Sequence, residues 1–175
     1  MRCLMLLRHA KANPGGGIIG DHERTLAPRG RKDASEIGAY MAHHQLVPDR
    51  AIVSTAARTR ETWELTAAAF PRPVPVVYER RLYDAAAETT LDVITQTDSA
   101  VSRLLVIGHN PGLQKLATAL IAAGDLDARE RLSEALPTSG LVTIDFPLND
   151  WKKLHSHAGH LGHFVTPRSL KMATD

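Results

Sequence analysis

The sequence predicts an α/β fold: three layers, α/β/α, on a mainly parallel central sheet, with residues 1–175 as a single domain. Three observations point there. Short, unbroken apolar runs recur at Cys3–Leu7, Ala51–Val53 and Leu104–Ile107, which suits strands covered on both faces. Stretches with helical spacing or composition stand between them. At 175 residues, 43% hydrophobic and 23% charged, the chain can bury one sizeable core and is not globally disordered.

Taken in order, Cys3–Leu7 is the first strand. A loop follows, with Pro14-Gly15-Gly16-Gly17 as its flexible part. A helix then runs from Pro28 to about Gln45, with Ala34, Ile37 and Met41 on its apolar face; Pro28 suits the first helical position, and Ala27 is a poor cap. Ala51–Val53 is the second strand, Ala56–Phe70 a helix rich in Ala, Glu, Arg and Leu, and Val74–Tyr78 the third strand. A helix over about Glu88–Thr97 leads to the fourth strand, Leu104–Ile107. Asn110 then reads as an N-cap and Pro111 as the first residue of a helix reaching about Ala123. Gly140–Phe146 and Leu161–Val165 complete the strands.

Composition narrows the function classes. A net charge of +2 gives no reason to expect a nucleic-acid partner. The apolar run at Leu4–Leu7 is too short for a leader peptide or a membrane span, so no membrane partner is expected. Cys3 is the only cysteine, which excludes an internal disulfide and fits a reducing, cytoplasmic setting. The charge is uneven: residues 1–60 hold 10 Lys+Arg against 5 Asp+Glu, whereas residues 61–100 hold 3 against 7.

Ligands of open α/β sheets bind beyond the carboxyl ends of the strands. Those ends carry Arg8-His9, Ser54-Thr55 with Arg58 one turn on, and Gly108-His109 at a helix start, while Asp84 follows the third strand. Arginine offers a fork of donors matched to phosphate oxygens, and a helix N-terminus adds unpaired N–H groups. A histidine among cations is kept neutral, and a neutral imidazole attacks phosphorus. Asp84 could supply the proton that a leaving group needs.

Leu7-Arg8-His9-Ala10-Lys11-Ala12, Leu26-Ala27-Pro28-Arg29-Gly30, Ser54-Thr55-Ala56-Ala57-Arg58-Thr59-Arg60-Glu61-Thr62 and Ile107-Gly108-His109-Asn110-Pro111 together resemble the histidine phosphatase superfamily, and most closely its SixA phosphohistidine phosphatase branch. Thr166-Pro167-Arg168 is similar to that branch too. The resemblance implies a phosphoglycerate mutase-like fold and a catalytic set in which His9 is the nucleophile, phosphorylated on Nε2. Arg8, Arg58 and His109 would hold the phosphoryl oxygens, and Asp84 would take the place of an acidic proton donor that is usually Glu. It implies no cofactor and no metal; the partners would be a phosphorylated protein or small phosphoester as substrate and inorganic phosphate as product. Ala10 and Ala27 depart from the more usual Gly and Thr.

Three functions stay open: a phosphatase working through phosphohistidine, a phosphoglycerate-mutase-like phosphotransferase, and a non-catalytic phosphate-binding module. Only 25 residues separate Asp84 from His109, little room for the cap of a mutase, and an open site favours hydrolysis and bulky substrates. Arg58 could instead pair with Glu61 or Glu64 on its own helix. The remaining histidines read as surface or loop residues: His22, His43 and His44, and the run His155, His157, His160, His163, whose spacing lacks a helical ligand frame. Lys11, Asn13 and Arg24 read as solvated loop residues, and Cys3 as an inert small hydrophobe.

Overall fold

Leu4 and Leu6 enter one hydrophobic core and Met5 and Leu7 another, all four fully buried. In the computed structural model, which describes residues 1–174, they belong to β1 (Arg2–Arg8), an interior strand of a seven-stranded sheet. Alternate side chains of a strand face opposite ways, so two cores require an unbroken apolar run. The chain continues through α1 (Pro28–His43), β2 (Arg50–Ser54), α2 (Ala57–Ala67), β3 (Val76–Glu79), α3 (Ala87–Thr95), β4 (Arg103–Gly108), α4 (Gly112–Leu120), β5 (Ile121–Ala123), α5 (Leu126–Glu134), β6 (Leu141–Phe146), β7 (Gly159–Val165) and α6 (Pro167–Thr174).

The strand order is β3-β2-β4-β1-β6-β7-β5. Every pairing is parallel except the two made by β6, so the sheet is mainly parallel. Ile37 and Met41 of α1, Trp63 of α2 and Leu170 of α6 pack with Met5 and Leu7 on one face. Val93 and Ile94 of α3, Leu113 and Leu116 of α4 and Leu132 of α5 pack with Leu4 and Leu6 on the other. This is the expected three-layer arrangement. No helix among the described residues is long and apolar enough to cross a membrane.

Three elements lie outside the sequence expectations, β5, α5 and α6, and one helix start differs. Asn110 does not cap α4 as expected: Pro111 occupies the cap position, while Asn110 Oδ1 accepts from Gln114 N at 3.2 Å and its Nδ2 donates to Leu136 O at 2.9 Å. The helix also stops at Leu120 rather than Ala123, because Ile121 turns extended to pair with β7. Strand β3 is an edge strand and half-open, with Val77 49% exposed.

The topology locates a crevice. Strands β1 and β4 are neighbours, in register from Cys3↔Arg103 to Arg8↔Gly108. The helix after β1 covers one face and the helix after β4 the other, so the connections diverge and leave a gap beyond the strand ends. Strand β2 lies on the other side of β4, with Val53↔Ile107 in register, so Ser54 reaches the same rim.

Candidate active site

At that rim is an open cleft of about 440 Å³ lined by Arg8, His9, Lys11, Asp21, Arg24, Arg58, Asp84 and His109, among others. His9 follows β1, and His109 follows β4; their ring centres are 5.3 Å apart. His9 Nδ1 lies 2.8 Å from the Ala10 carbonyl oxygen, which can only accept, so Nδ1 carries the proton and Nε2 keeps its lone pair. The Ala10 amide is itself fixed by donation to Thr62 Oγ1 at 3.0 Å. Burial pushes the His9 pKa down to about 4; its bond to Ala10 works against this, and the charges of Arg58, Arg8 and Arg24 add to it. Burial also pushes His109 down to about 3, helped by His9 and Arg58. Its Nε2 is 2.7 Å from Ser54 Oγ.

Arg58 is 4% exposed and projects from the first turn of α2. The alternative pairing with Glu61 or Glu64 does not occur, since Glu61 is taken by Arg31 at 2.7 Å and by the Leu26 amide. Arg58 instead donates through Nη1 to Asp21 O at 2.9 Å and through Nη2 to Asp21 Oδ2 at 3.2 Å. Arg8 donates to Leu136 O at 3.0 Å, and burial, with Arg58 nearby, lowers its pKa. Arg8 Nε, Arg58 Nε and His109 Nδ1 are buried without a hydrogen-bond partner among the described residues. Arg8, Arg58 and His109 all line the cleft, and a tetrahedral anion with several acceptor oxygens is the chemistry that suits two guanidinium groups and an imidazole.

All five expected site residues thus line one cleft. Asp84 is the outlying member, exposed and in a left-handed backbone conformation at φ 50°. It is brought near by Gly112, where any Cβ would sit 2.1 Å from Ala85 O, so the residue-85 segment can lie against the start of α4.

Residues 4–104 match the family profile of the histidine phosphatase superfamily, branch 1. The chain belongs to this superfamily. An uncharacterised protein of Mycobacterium tuberculosis is 36% identical over 165 residues, covering 93% of this chain and all of that one. A crystal structure from Agrobacterium tumefaciens, provisionally named phosphohistidine phosphatase SixA, is 32% identical with a TM-score of 0.80, covering 95% of this chain and 98% of that one. A structure from Nakamurella multipartitia, provisionally given the same name, is 26% identical with a TM-score of 0.82, covering 95% and 96%. Membership in the histidine phosphatase superfamily and the SixA-type branch accounts for the shared α/β architecture and supports a phosphatase activity.

Further residues of this histidine phosphatase fold line the cleft or brace the loop beside it, where solvated loop or surface positions are expected for Lys11, Asn13, Arg24 and His22. Lys11 and Arg24 line it, and Arg24 Nε donates to Asp21 Oδ1 at 3.0 Å. Asn13 ties the loop base, its backbone N–H donating to Thr25 O at 2.8 Å and its side-chain Nδ2 to Leu26 O at 3.2 Å. His22 is half-buried, with Nε2 2.9 Å from Thr55 Oγ1 and its ring edge-on to Tyr83. Asp21 is the hub: it takes Arg24, Arg58 and a short bond from the Tyr83 hydroxyl, and that last bond, more than the arginines, holds its carboxyl down at about 2. No sequence spacing signals these contacts, which bridge 37 residues to Arg58 and 62 to Tyr83.

The histidine run is dispersed. His160 and His163 lie on β7, His155 and His157 in the loop before it, and His163 Nδ1 bonds the Tyr40 hydroxyl at 2.8 Å. Among the described residues no group of three or more His, Cys, Asp or Glu is arranged to hold a metal. Burial, reinforced by Asp145, pushes the Cys3 thiol up to about 12, so it stays protonated.

Proposed function

We propose that the chain is a phosphatase that hydrolyses a phosphorylated protein, phosphohistidine included, or a small phosphoester through a covalent phosphohistidine on His9. The observation that carries this is the bond from His9 Nδ1 to the Ala10 carbonyl. It leaves Nε2 as a bare lone pair in a cleft lined by Arg8 and Arg58, on a ring that burial keeps uncharged at neutral pH. In the first step Nε2 bonds to phosphorus and the bond to the leaving group breaks, the leaving atom taking a proton from Asp84. Arg8, Arg58 and His109 hold the three outer oxygens as negative charge gathers there. In the second step water attacks phosphorus, gives its proton to the Asp84 carboxylate, and the N–P bond breaks. Inorganic phosphate leaves, and His9 regains its lone pair.

Two arginines supply the positive charge that a metal would otherwise supply, so the reaction needs none. The mutase reading is less well supported, because α3 and β4 take up most of the stretch between Asp84 and His109. A single cysteine, with no partner for an internal disulfide, agrees with a cytoplasmic setting. The test is hydrolysis of para-nitrophenyl phosphate without added metal, followed by a comparison of kcat/KM across phosphohistidine proteins, phosphoserine peptides and small phosphoesters. Turnover that persists with a chelator is expected. Turnover abolished by the chelator, or conversion of 3-phosphoglycerate to its 2-phospho isomer, would overturn the reading.

A further inference from the structure

Both ends of the loop from Lys11 to Arg24 line the cleft, Lys11 and Ala12 where it leaves and Asp21 and Arg24 where it returns. Its base is clamped by the Ala12↔Leu26 bridge, and Arg24 Nη1 donates to Asn13 O at 2.8 Å. Its tip is a tight hairpin closed by the Gly16↔Ile19 bridge, with Gly16 at φ 126° and Gly17 at φ 67°, conformations that favour glycine. The hairpin presents Ile18 and Ile19 to solvent at 104% and 61% exposure. Single exposed apolar residues are ordinary. Here two adjacent isoleucines stand on a glycine turn within three residues of Asp21, which lines the cationic cleft.

We propose that Ile18 and Ile19 dock an apolar side chain of a phosphorylated polypeptide close to the residue whose phosphoryl group enters the cleft. This rests on the phosphatase reading and names its substrate class. Ile19 is two residues and Ile18 three from Asp21, so at most about 7 and 11 Å of chain separates them from the rim. An extended substrate advancing roughly 3.3 Å per residue covers that span within a few positions. Its charge suits the arginine-lined cleft and its apolar neighbour suits the hairpin, whereas a small phosphoester can satisfy only the first.

The test uses the full chain, the double variant Ile18→Ser/Ile19→Ser and three substrates. These are para-nitrophenyl phosphate and two short peptides phosphorylated on a central histidine, one with leucine three residues to either side and one with serine there. Both substituted positions are exposed, and thermal unfolding checks that the variant folds. The wild type should favour the leucine peptide by about tenfold in kcat/KM, the equivalent of burying one apolar side chain. The variant should lose that preference while its rate on the aryl phosphate stays within about twofold. Equal rates on the two peptides, a preference that survives in the variant, or a parallel fall on all substrates would overturn the proposal. So would phosphatidylserine vesicle binding that the variant loses without any change in peptide turnover. Failure of the underlying reading looks different: the wild type would turn over none of the three substrates.

Discussion

His9 and His109 lie side by side in the cleft with ring centres 5.3 Å apart, tilted by 54°, and neither ring is protonated at neutral pH. Burial is the main reason for both, and each positive charge nearby adds to it. Two uncharged imidazoles side by side suit one as nucleophile and the other as hydrogen-bonding partner of the phosphoryl oxygens, a pairing that two imidazolium ions could not serve.

This neutrality makes stability depend on pH in a defined direction. Both histidines are depressed in the folded chain, to about 4 and about 3, against an ordinary value near 6.5. The unfolded chain therefore binds more protons as pH falls below about 6.5, and stability is lost progressively between about 6.5 and 3. Nuclear magnetic resonance titration should place the His9 midpoint near 4 rather than 6.5, and denaturant midpoints should fall through the same window.

Asp21 gathers Arg24, Arg58 and Tyr83 at the cleft. Its carboxylate orients Arg24 and Arg58 and is itself held by Tyr83. Asp21→Asn removes the charge that aims the Arg58 guanidinium, so kcat should fall roughly tenfold or more. Inorganic phosphate should inhibit more strongly, since a neighbouring negative charge is gone. Steady-state kinetics with added phosphate measure both effects.

Asp84→Asn should discriminate between leaving groups. An alkyl phosphate needs a proton as its oxygen departs and should slow by about 10²-fold or more. Para-nitrophenyl phosphate and a phosphohistidine peptide release better leaving groups, so their kcat/KM, which reports the first step alone, should change little, whereas kcat, which includes the water step that Asp84 assists as base, should fall on all three. Equal losses of kcat/KM on all three would deny Asp84 the role of acid.

Gly30 lies where α1 crosses the backbone after β1. A Cβ there would sit 2.0 Å from Lys11 O, with backbone rather than a flexible side chain in the way. Gly30→Ala should cost about 1–3 kcal/mol and lower the melting temperature by several degrees. Because Lys11 lines the cleft, KM should rise as well.

Strands β1, β2 and β4 were readable because burial on both faces leaves continuous apolar runs, and their parallel alignment puts Arg8, His9, Ser54 and His109 on one rim. The elements missed lacked that signal. β5 is three residues that continue the helical pattern of α4, two of them exposed. α5 buries only Leu132, so its face shows no periodicity, although its cap, Asp125 accepting from Ala128 N at 2.9 Å, was present in the sequence. α6 also carried a sign: Pro167 at its start, between Thr166 and Ser169, which exchange hydrogen bonds across its first turn. The hub at Asp21 was illegible for another reason. Its partners come from α2 and from the segment after β3, and only the folded chain puts them together.

The most direct test of the account is to quench the enzyme in alkali during turnover of a phosphorylated substrate and map the phosphoryl group by mass spectrometry. The account predicts an alkali-stable, acid-labile adduct on His9 that is absent from His9→Ala, which should also lose all activity. No adduct, an adduct on another residue, or turnover that survives in His9→Ala would contradict it.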